Sequence, residues 1–245
     1  MLEACIRRGV QNLVYISSNC AVTVGQAGIT AESEKDVLDI FAKTTPHCAY
    51  GRSKKEATQL VVAANGSGRL RTLVLLPGFI IGPGEPKFMV NIMKEEIMPF
   101  SRERTGKLNF VCRTSVGRAI MCSLVALHKP DVSRTAGHIF MISDVLENFA
   151  DFETAVRKAL GRPHDKHVNA LMPLVCTISQ LFNWMTNDRY NFMFLQGTFA
   201  AMELSQRAPE LRSTHEAQTI LGWTPTSRET IIQDLVNYYK PATSK

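Results

Sequence analysis

The chain has 245 residues, which is enough to bury the core of one or two domains, and its hydrophobic fraction of 45% is ordinary for a globular protein. The formal net charge is +6, but the basic residues are scattered and no basic run with interleaved aromatic residues occurs. The sequence therefore does not predict a nucleic-acid-binding protein, although a basic balance suits phosphate-rich cofactors and anionic membrane surfaces.

The first predicted element is a short buried strand, the run QNLVYISSN at residues 11–19. Continuous apolar runs of this kind are typical of a parallel sheet covered on both faces. Ser17 and Ser18 fall at the C-terminal end of the strand, where open α/β sheets place their ligand crevice, so a hydroxyl there can bond a substrate oxygen. The alternative is a serine pair that only closes the strand into a turn.

The next predicted element is a helix over residues 49–64, which follows Pro46, contains no proline and ends at the glycine-rich stretch 65–68. Tyr50 and Lys54 are four residues apart and therefore share one face near the start of this helix. A free tyrosine has a pKa of about 10, and a nearby ammonium lowers it. A tyrosine tuned in this way can exchange a proton with an alcohol or a ketone during hydride transfer. The alternative is two solvated side chains on a helix surface.

A second apolar strand follows at residues 70–76 and runs into the turn PGFIIGPG at residues 77–84. Glycine allows a ligand to approach the backbone closely, and proline stiffens the turn. Strand, long helix and strand together predict a βαβ unit with parallel strands and a right-handed crossover.

The order of the segments LVYISSN, YGRSK and LRTLVLLPGFIIGPGEP resembles the extended short-chain dehydrogenase/reductases. The resemblance is greatest to the 3β-hydroxysteroid dehydrogenase/isomerase-like branch, near short-chain dehydrogenase family 42E. It continues in GHIFMISDVLENFADFETAVRKALG, RYNFMFL and THEAQTILGWTPTSRETIIQDLVNYY, and so covers nearly the whole chain. The resemblance implies an oxidoreductase that uses NAD or NADP to interconvert a secondary alcohol and a ketone on a hydrophobic, steroid-like substrate.

The resemblance also implies roles for particular residues. Tyr50 would be the catalytic acid/base, and Lys54 would hold the nicotinamide ribose and tune Tyr50. Ser18, with Ser17 as the alternative, would polarise the substrate oxygen. Beside Tyr50 and Lys54, the residues expected to bind the cofactor are Pro77, Gly78 and Ile80. The cofactor carries the hydride, while the protein supplies position and electrostatics.

Two departures from the family pattern accompany this resemblance. No glycine-rich G-x-x-G-x-x-G or G-x-G-x-x-G segment precedes Ser18, so the strand, turn and helix that hold the pyrophosphate are missing from this sequence. Residues 112–115 read CRTS where the family usually has Val-Asp-Asn after an aromatic residue or histidine. We therefore expect a loop here that lacks its ordering carboxylate.

The predicted fold class is α/β, with a partial Rossmann-like parallel sheet and a smaller, mostly helical C-terminal substrate lobe. Residues 1–84 form the remainder of the Rossmann-like domain, to which residues 110–144 return. Residues 85–109 and 145–245 form the substrate lobe.

The methionine-rich stretch within residues 85–109 predicts an amphipathic helix, which is more often core than substrate pocket. The most apolar stretch is VNALMPLVCTISQLFNWM, residues 168–185. We favour a helix packed on the substrate lobe that touches a membrane surface through Phe182 and Trp184. A membrane span is the alternative, since the stretch is at the short limit for one.

The cysteines and histidines indicate neither a disulfide framework nor a metal site. No C-x-x-C occurs, no histidine completes a zinc pattern, and the cysteines are expected to be buried thiols of a reducing compartment: Cys5, Cys20, Cys48, Cys112, Cys122 and Cys176. No signal peptide opens the sequence. We therefore expect an intracellular protein, in the cytoplasm or on the cytoplasmic face of an internal membrane.

Two functional hypotheses remain. The first is the nicotinamide-dependent oxidoreductase described above, with a hydrophobic small molecule as its partner. The second is a non-catalytic, truncated family member or isoform that keeps Tyr50, Lys54 and Ser18 but cannot hold its cofactor. The missing glycine-rich segment separates them. A basic binding module is a third reading, supported only by the net charge.

Overall fold

The structure is a computed structural model, and it describes residues 1–22, 30–31, 34–43, 45–46, 49–84, 107–161, 210–211 and 214–240. The strands in these ranges are β1 (Asn12–Ile16), β2 (Thr30–Ala31), β3 (Arg71–Pro77), β4 (Phe79–Ile81), β5 (Lys107–Cys112), β6 (Ile139–Ile142), β7 (Val145–Asn148) and β8 (Glu210–Leu211). The helices are α1 (Leu2–Arg7), α2 (Glu34–Lys43), α3 (Ala49–Ala63), α4 (Arg113–Leu127), α5 (Phe149–Ala159), α6 (His215–Leu221) and α7 (Arg228–Tyr239), with a 3-10 turn at Asn19–Val22.

The first sheet consists of three parallel strands in the order β1-β3-β6. The chain leaves β1, passes through α3 and returns to β3 beside it, so the predicted βαβ unit is confirmed. The predicted α/β fold class with a Rossmann-like parallel sheet is confirmed with it. We expected β1 to be fully buried, but its residues are only half-buried. Within the described ranges β1 pairs with β3 alone, so one of its edges has no neighbouring strand there.

The central strand β3 is buried on both faces, and its side chains alternate between two cores. Leu73 and Leu75 pack against α4, and Val74 and Leu76 pack on the side of α2 and α3. Side chains along a strand point alternately to opposite faces, so one apolar run without polar interruption can fill both cores. The apolar sequence of β3 is thereby explained.

A second sheet has the order β4-β5-β7, with β4 parallel and β7 antiparallel to β5. Helices α5 and α7 cover it, and its core is aromatic at the centre. The rings of Phe110 and Phe152 stack with their centroids 4.5 Å apart. Phe149, Ile231 and Leu235 complete the cluster from α5 and α7.

Among the described residues the chain passes between these two sheets three times: once through α4, from β5 to β6, and twice through short connections, which we call the first and second crossings. The first crossing is at Gly78, whose N–H donates to Ile142 O at 3.0 Å in the first sheet, while the next residue begins β4. A Cβ at position 78 would lie 2.1 Å from Asn109 O, so only glycine fits. The second crossing is the two-residue connection between β6 and β7, Ser143 and Asp144. Asn109 Nδ2 donates to Ser143 Oγ at 3.1 Å, which joins the two crossings.

The division into two lobes at the stated boundaries stays a prediction. The boundary between residues 109 and 110 falls inside β5. In the described part of residues 145–245, helices α5, α6 and α7 predominate over strands β7 and β8. The stretches 85–106 and 168–185, with the predicted methionine-rich and most apolar segments, lie outside the described residues. None of the described helices is long and apolar enough to cross a membrane.

The cysteine expectation is only partly correct. Cys20 and Cys112 are buried, as expected, but Cys5 and Cys122 are partly exposed, which makes the expectation wrong for these two. Cys48 and Cys176 lie outside the described residues. No group of three or more potential metal ligands occurs in the described ranges.

Candidate active site

Helix α3 brings the predicted tyrosine and lysine to one place. It begins at Ala49 and ends at Ala63, within one residue of the predicted range. Lys54 Nζ lies 6.0 Å from the centroid of the Tyr50 ring, one helical turn away. Tyr50 is 46% exposed, so its phenol is accessible from outside the protein. The helix therefore places a cation and an exposed tyrosine ring next to each other.

Lys54 also contacts the neighbouring strand. Its Nζ donates to Ile16 O at 3.1 Å and lies 5.3 Å from the centroid of the Tyr15 ring. Burial lowers the pKa of Lys54 below its ordinary value, and the charge of the Cys20 thiolate, where present, opposes this shift. Lys54 therefore lies between two tyrosine rings. Tyr15 was not predictable from the sequence, because its contact with Lys54 joins two elements.

The two tyrosines beside Lys54 are not equivalent. Tyr15 is half-buried on β1, and burial raises the pKa of its phenol above 10.0. Because its pKa is raised, Tyr15 loses its proton less readily and forms less phenolate. Tyr50 is the more exposed of the two, so it remains the candidate for proton exchange with a ligand.

The two serines after β1 have different surroundings. Ser17 is buried, and its Oγ lies 2.7 Å from Thr58 Oγ1 and 3.5 Å from Lys54 O. Thr58 Oγ1 also lies 2.8 Å from Lys54 O. A hydroxyl carries one hydrogen. Either Ser17 donates to Thr58 and Thr58 to the carbonyl, or Thr58 donates to Ser17 and Ser17 to the carbonyl. The first arrangement makes two hydrogen bonds of normal length, 2.7 and 2.8 Å, and uses the Ser17 proton inside this network.

Ser18 is partly exposed, and the hydrogen bonding of its hydroxyl differs from that of Ser17. Its Oγ accepts a hydrogen bond from the N–H of Cys20 at 3.2 Å. Accepting a bond leaves the hydroxyl proton available for donation, and among the described residues no acceptor for it is found. Ser18, rather than Ser17, therefore has the donor that a substrate oxygen would need.

The three other predicted cofactor-binding residues lie around the first crossing between the sheets. Pro77 ends β3 and is buried, Gly78 makes the crossing, and Ile80 is 40% exposed on β4. Ser17 N donates to Leu75 O at 2.8 Å, so the β1–β3 register continues one residue beyond β1. This register brings the serines and Pro77 to the same edge of the parallel sheet.

A carboxylate that the sequence analysis did not identify orders the start of α4. Asp144 Oδ2 accepts from Cys112 N at 2.6 Å, and Oδ1 accepts from Ser115 Oγ at 2.7 Å and from Thr226 N at 2.7 Å. The expectation that the 112–115 segment is a loop without an ordering carboxylate is therefore wrong. The segment ends β5 and begins α4, and the carboxylate comes from the second crossing. By accepting hydrogen bonds from these three donors, Asp144 links β5, α4 and the C-terminal segment.

The C-terminal segment is fixed to the same region by further polar contacts. Trp223 is buried and its Nε1 donates to Ser115 O at 3.1 Å. The Arg118 guanidinium donates to Thr224 O at 3.2 Å. Arg228 pairs with Glu147 of β7 through two hydrogen bonds of 2.7 and 2.8 Å. These contacts hold α7 over the second sheet.

The residues at this edge suit one end of a nicotinamide dinucleotide. Lys54 supplies a cation, Tyr50 an accessible phenol and Ser18 a hydroxyl proton, all near the C-terminal ends of parallel strands, where α/β sheets bind nucleotides. Gly9 is the only glycine before Ser18. The described residues therefore offer a cation, a phenol and a hydroxyl at this edge, and no glycine-rich turn for a pyrophosphate.

Residues 1–174 match the model of the 3-beta hydroxysteroid dehydrogenase/isomerase family. The chain belongs to this family. Among curated proteins, it is 26% identical over 234 residues to 3beta-hydroxysteroid-dehydrogenase/decarboxylase isoform 2 of Arabidopsis thaliana, covering 92% of this chain and 40% of the relative. It is 27% identical over 206 residues to short-chain dehydrogenase/reductase family 42E member 1 of Bos taurus, covering 78% of this chain and 51% of the relative. The family resemblance seen in the sequence is confirmed.

Solved structures support the fold. The UDP-glucuronic acid 4-epimerase of Bacillus cereus, solved with UDP-glucuronic acid and NAD, superposes with a TM-score of 0.65 at 15% identity. The alignment covers 97% of this chain and 64% of the epimerase chain. At this identity the match concerns the fold alone. The chain spans about half the length of the curated relatives it matches.

Proposed function

We propose that this chain carries the acid–base half of an NAD- or NADP-dependent oxidoreductase, which interconverts a secondary alcohol and a ketone on a hydrophobic, steroid-like substrate. The observation that supports this proposal most strongly is the difference in hydrogen bonding between Ser17 and Ser18. Ser17 uses its proton within the protein, and Ser18 keeps its proton available at the sheet edge where Lys54 and Tyr50 lie. Family membership supports the reaction type, and the names of the relatives suggest the substrate class.

In this proposal each side chain has a separate task. Ser18 donates a hydrogen bond to the substrate oxygen and so fixes it beside Tyr50. Tyr50 takes the hydroxyl proton of an alcohol, or returns a proton to the oxygen of a ketone. The Lys54 ammonium lies close enough to stabilise the phenolate that forms when Tyr50 gives up its proton. When bound, the nicotinamide accepts or supplies the hydride.

The competing proposal is that residues 1–245 taken alone lack catalysis because they hold no nicotinamide cofactor. Its support is that residues 1–17 contain no glycine-rich turn for a pyrophosphate. In that case Tyr50, Lys54 and Ser18 have no bound nicotinamide to act on.

The test is the oxidation of a 3β-hydroxysteroid at millimolar concentrations of the oxidised cofactor, followed as NADH or NADPH formation, with wild type, Tyr50→Phe and Tyr238→Phe. Tyr238 is 62% exposed on α7 and serves as the matched control. We expect activity in the wild type and the control and a loss of at least about 100-fold in kcat for Tyr50→Phe, because general acid–base catalysis contributes about 10²–10⁴-fold. Wild-type kcat in Tyr50→Phe would refute the acid/base role. Inactivity of the wild type, together with undetectable cofactor binding, would favour the competing proposal.

A further inference from the structure

A buried hydroxyl pair joins the serine strand to the helix that carries Tyr50 and Lys54. Thr58 lies on α3 one turn after Lys54 and is fully buried. Its Oγ1 is 2.7 Å from Ser17 Oγ and 2.8 Å from Lys54 O. Thr58 thus contacts both the residue before Ser18 and the backbone of the lysine.

Lys54 is tied to the strand end at two points. Its side-chain Nζ donates to Ile16 O at 3.1 Å. Its backbone oxygen accepts from the Thr58–Ser17 pair. Because Ile16 and Ser17 are consecutive, the two contacts fix both the distance and the rotation of α3 relative to the end of β1.

A bound ligand would affect these two contacts differently. Lys54 Nζ is a flexible ammonium on four methylenes, and in the proposed function it also faces a ligand. The Thr58 contact uses a short side chain with a single χ1 torsion and has no exposed atom through which solvent can replace it. When Lys54 Nζ turns to a ligand, the Thr58–Ser17 contact is the link between helix and strand that remains.

We infer that Thr58 is a positioning residue for the proposed reaction: through Ser17, its hydroxyl holds Ser18 Oγ at a fixed place relative to the Tyr50 phenol. The inference rests on the proposed function and deepens it. Misplacing a reacting group by about 1 Å can cost about 100-fold in rate, so a buried hydroxyl that touches no substrate is sufficient to affect catalysis.

The test compares Thr58→Val with Thr58→Ser. Valine keeps the shape and burial of threonine and removes the hydroxyl, whereas serine keeps the hydroxyl and removes a methyl group. For 3β-hydroxysteroid oxidation we expect Thr58→Val to lower kcat by about 10- to 100-fold with KM changed less than about 3-fold, and Thr58→Ser to keep kcat within about 3-fold of wild type. Wild-type kcat in the valine variant overturns the inference. Equal loss in both variants also overturns it, because that result indicates packing alone.

A second readout needs no activity. Hydrogen exchange of the ligand-free chain, followed by mass spectrometry on a peptide that spans residues 17–22, reports the hydrogen bond from Cys20 N to Ser18 Oγ. We expect faster exchange in Thr58→Val and unchanged exchange in Thr58→Ser, after thermal unfolding has shown that both variants are folded. If the wild type is inactive but exchange follows this pattern, the proposed function fails while the positioning contact stands. Unchanged exchange in the valine variant overturns the positioning contact, whatever the activity.

Discussion

The side-chain carboxylate of Asp144 accepts a hydrogen bond of 2.7 Å from the backbone N–H of Thr226, 82 residues further along the chain. The same carboxylate accepts from Cys112 N at the end of β5 and from Ser115 Oγ in the first turn of α4. One acidic side chain therefore satisfies donors from three segments, at the point where the chain crosses from the first sheet to the second.

Replacement of Asp144 by asparagine should destabilise the chain by about 2–3 kcal/mol, since hydrogen bonds to charged groups contribute about 1.5–3 kcal/mol. The asparagine Oδ1 can still accept from Thr226 N, but its Nδ2 would then face the N–H of Cys112, donor against donor. Urea unfolding measures the loss. Asp131→Asn is the control, because the exposed Asp131 accepts from Ser133 N at 2.9 Å and an amide oxygen can do the same. A loss below about 0.5 kcal/mol in Asp144→Asn would contradict the bridging role.

Lys54 should make the stability of the chain vary with pH in the alkaline range. Burial lowers its pKa in the folded state, so the folded chain releases this proton at a lower pH than the unfolded chain does. Between the lowered pKa and the ordinary value of 10.5 the unfolded state binds more protons, and stability therefore rises with pH in that window. The contribution disappears in Lys54→Met. Comparing urea midpoints of the two proteins from neutral pH to about pH 10 should show the wild type gaining relative to the variant.

Lys129→Met provides the control for this titration, because Lys129 is exposed and its removal should leave the slope unchanged. A wild-type slope equal to that of Lys54→Met would mean that the Lys54 ammonium is not desolvated beside Ile16 O.

Residues 168–185 should give the chain a weak affinity for anionic liposomes. The prediction rests on the sequence alone, on the apolar stretch with Phe182 and Trp184 near one end. Co-sedimentation should fall when both aromatic residues are changed to serine. Trp223→Phe is a suitable comparison, since the buried Trp223 cannot contact a lipid surface. Equal sedimentation of wild type and double variant would remove the membrane contact.

Residues 1–245 alone should bind NADH only at millimolar concentrations, or not at all if the competing proposal holds. In the proposed function the groups near Tyr50 bind only the nicotinamide end, and residues 1–17 offer no glycine-rich turn for the pyrophosphate. Relative to a micromolar site, this corresponds to a loss of about 4 kcal/mol. Calorimetric titration of the monodisperse chain measures it. Micromolar affinity would show that the glycine-rich segment is not needed.

The elements around Tyr50 were predictable because their signals are local. The helical range of α3 is defined by a stretch without proline and by the glycines that end it, and the spacing of Tyr50 and Lys54 is a property of that helix alone. The apolar run of β3 likewise predicted a strand buried on both faces, and the structure bears this out. Family motifs in order then supplied the identity of the fold.

The contacts that hold these elements together were not predictable, because each joins residues far apart in the sequence. Thr58 and Ser17 are 41 residues apart, and neither hydroxyl has a distinctive sequence context. Asp144 lies in a short strand-to-strand connection, and its local sequence gives no indication that it orders residues 112–115. Which face of a helix meets which strand end is decided by packing, not by local spacing.

Gly78 offers a way to control this protein genetically. A methyl group at position 78 would overlap Asn109 O on β5. The side chain of Asn109 donates a hydrogen bond to Ser143 in the second crossing. Gly78→Ala would therefore force the two sheets apart while leaving Tyr50, Lys54 and Ser18 chemically intact. Because the overlap is with backbone and not with the end of a flexible side chain, no rotamer change relieves it, and such an allele would separate loss of the fold from loss of the catalytic groups.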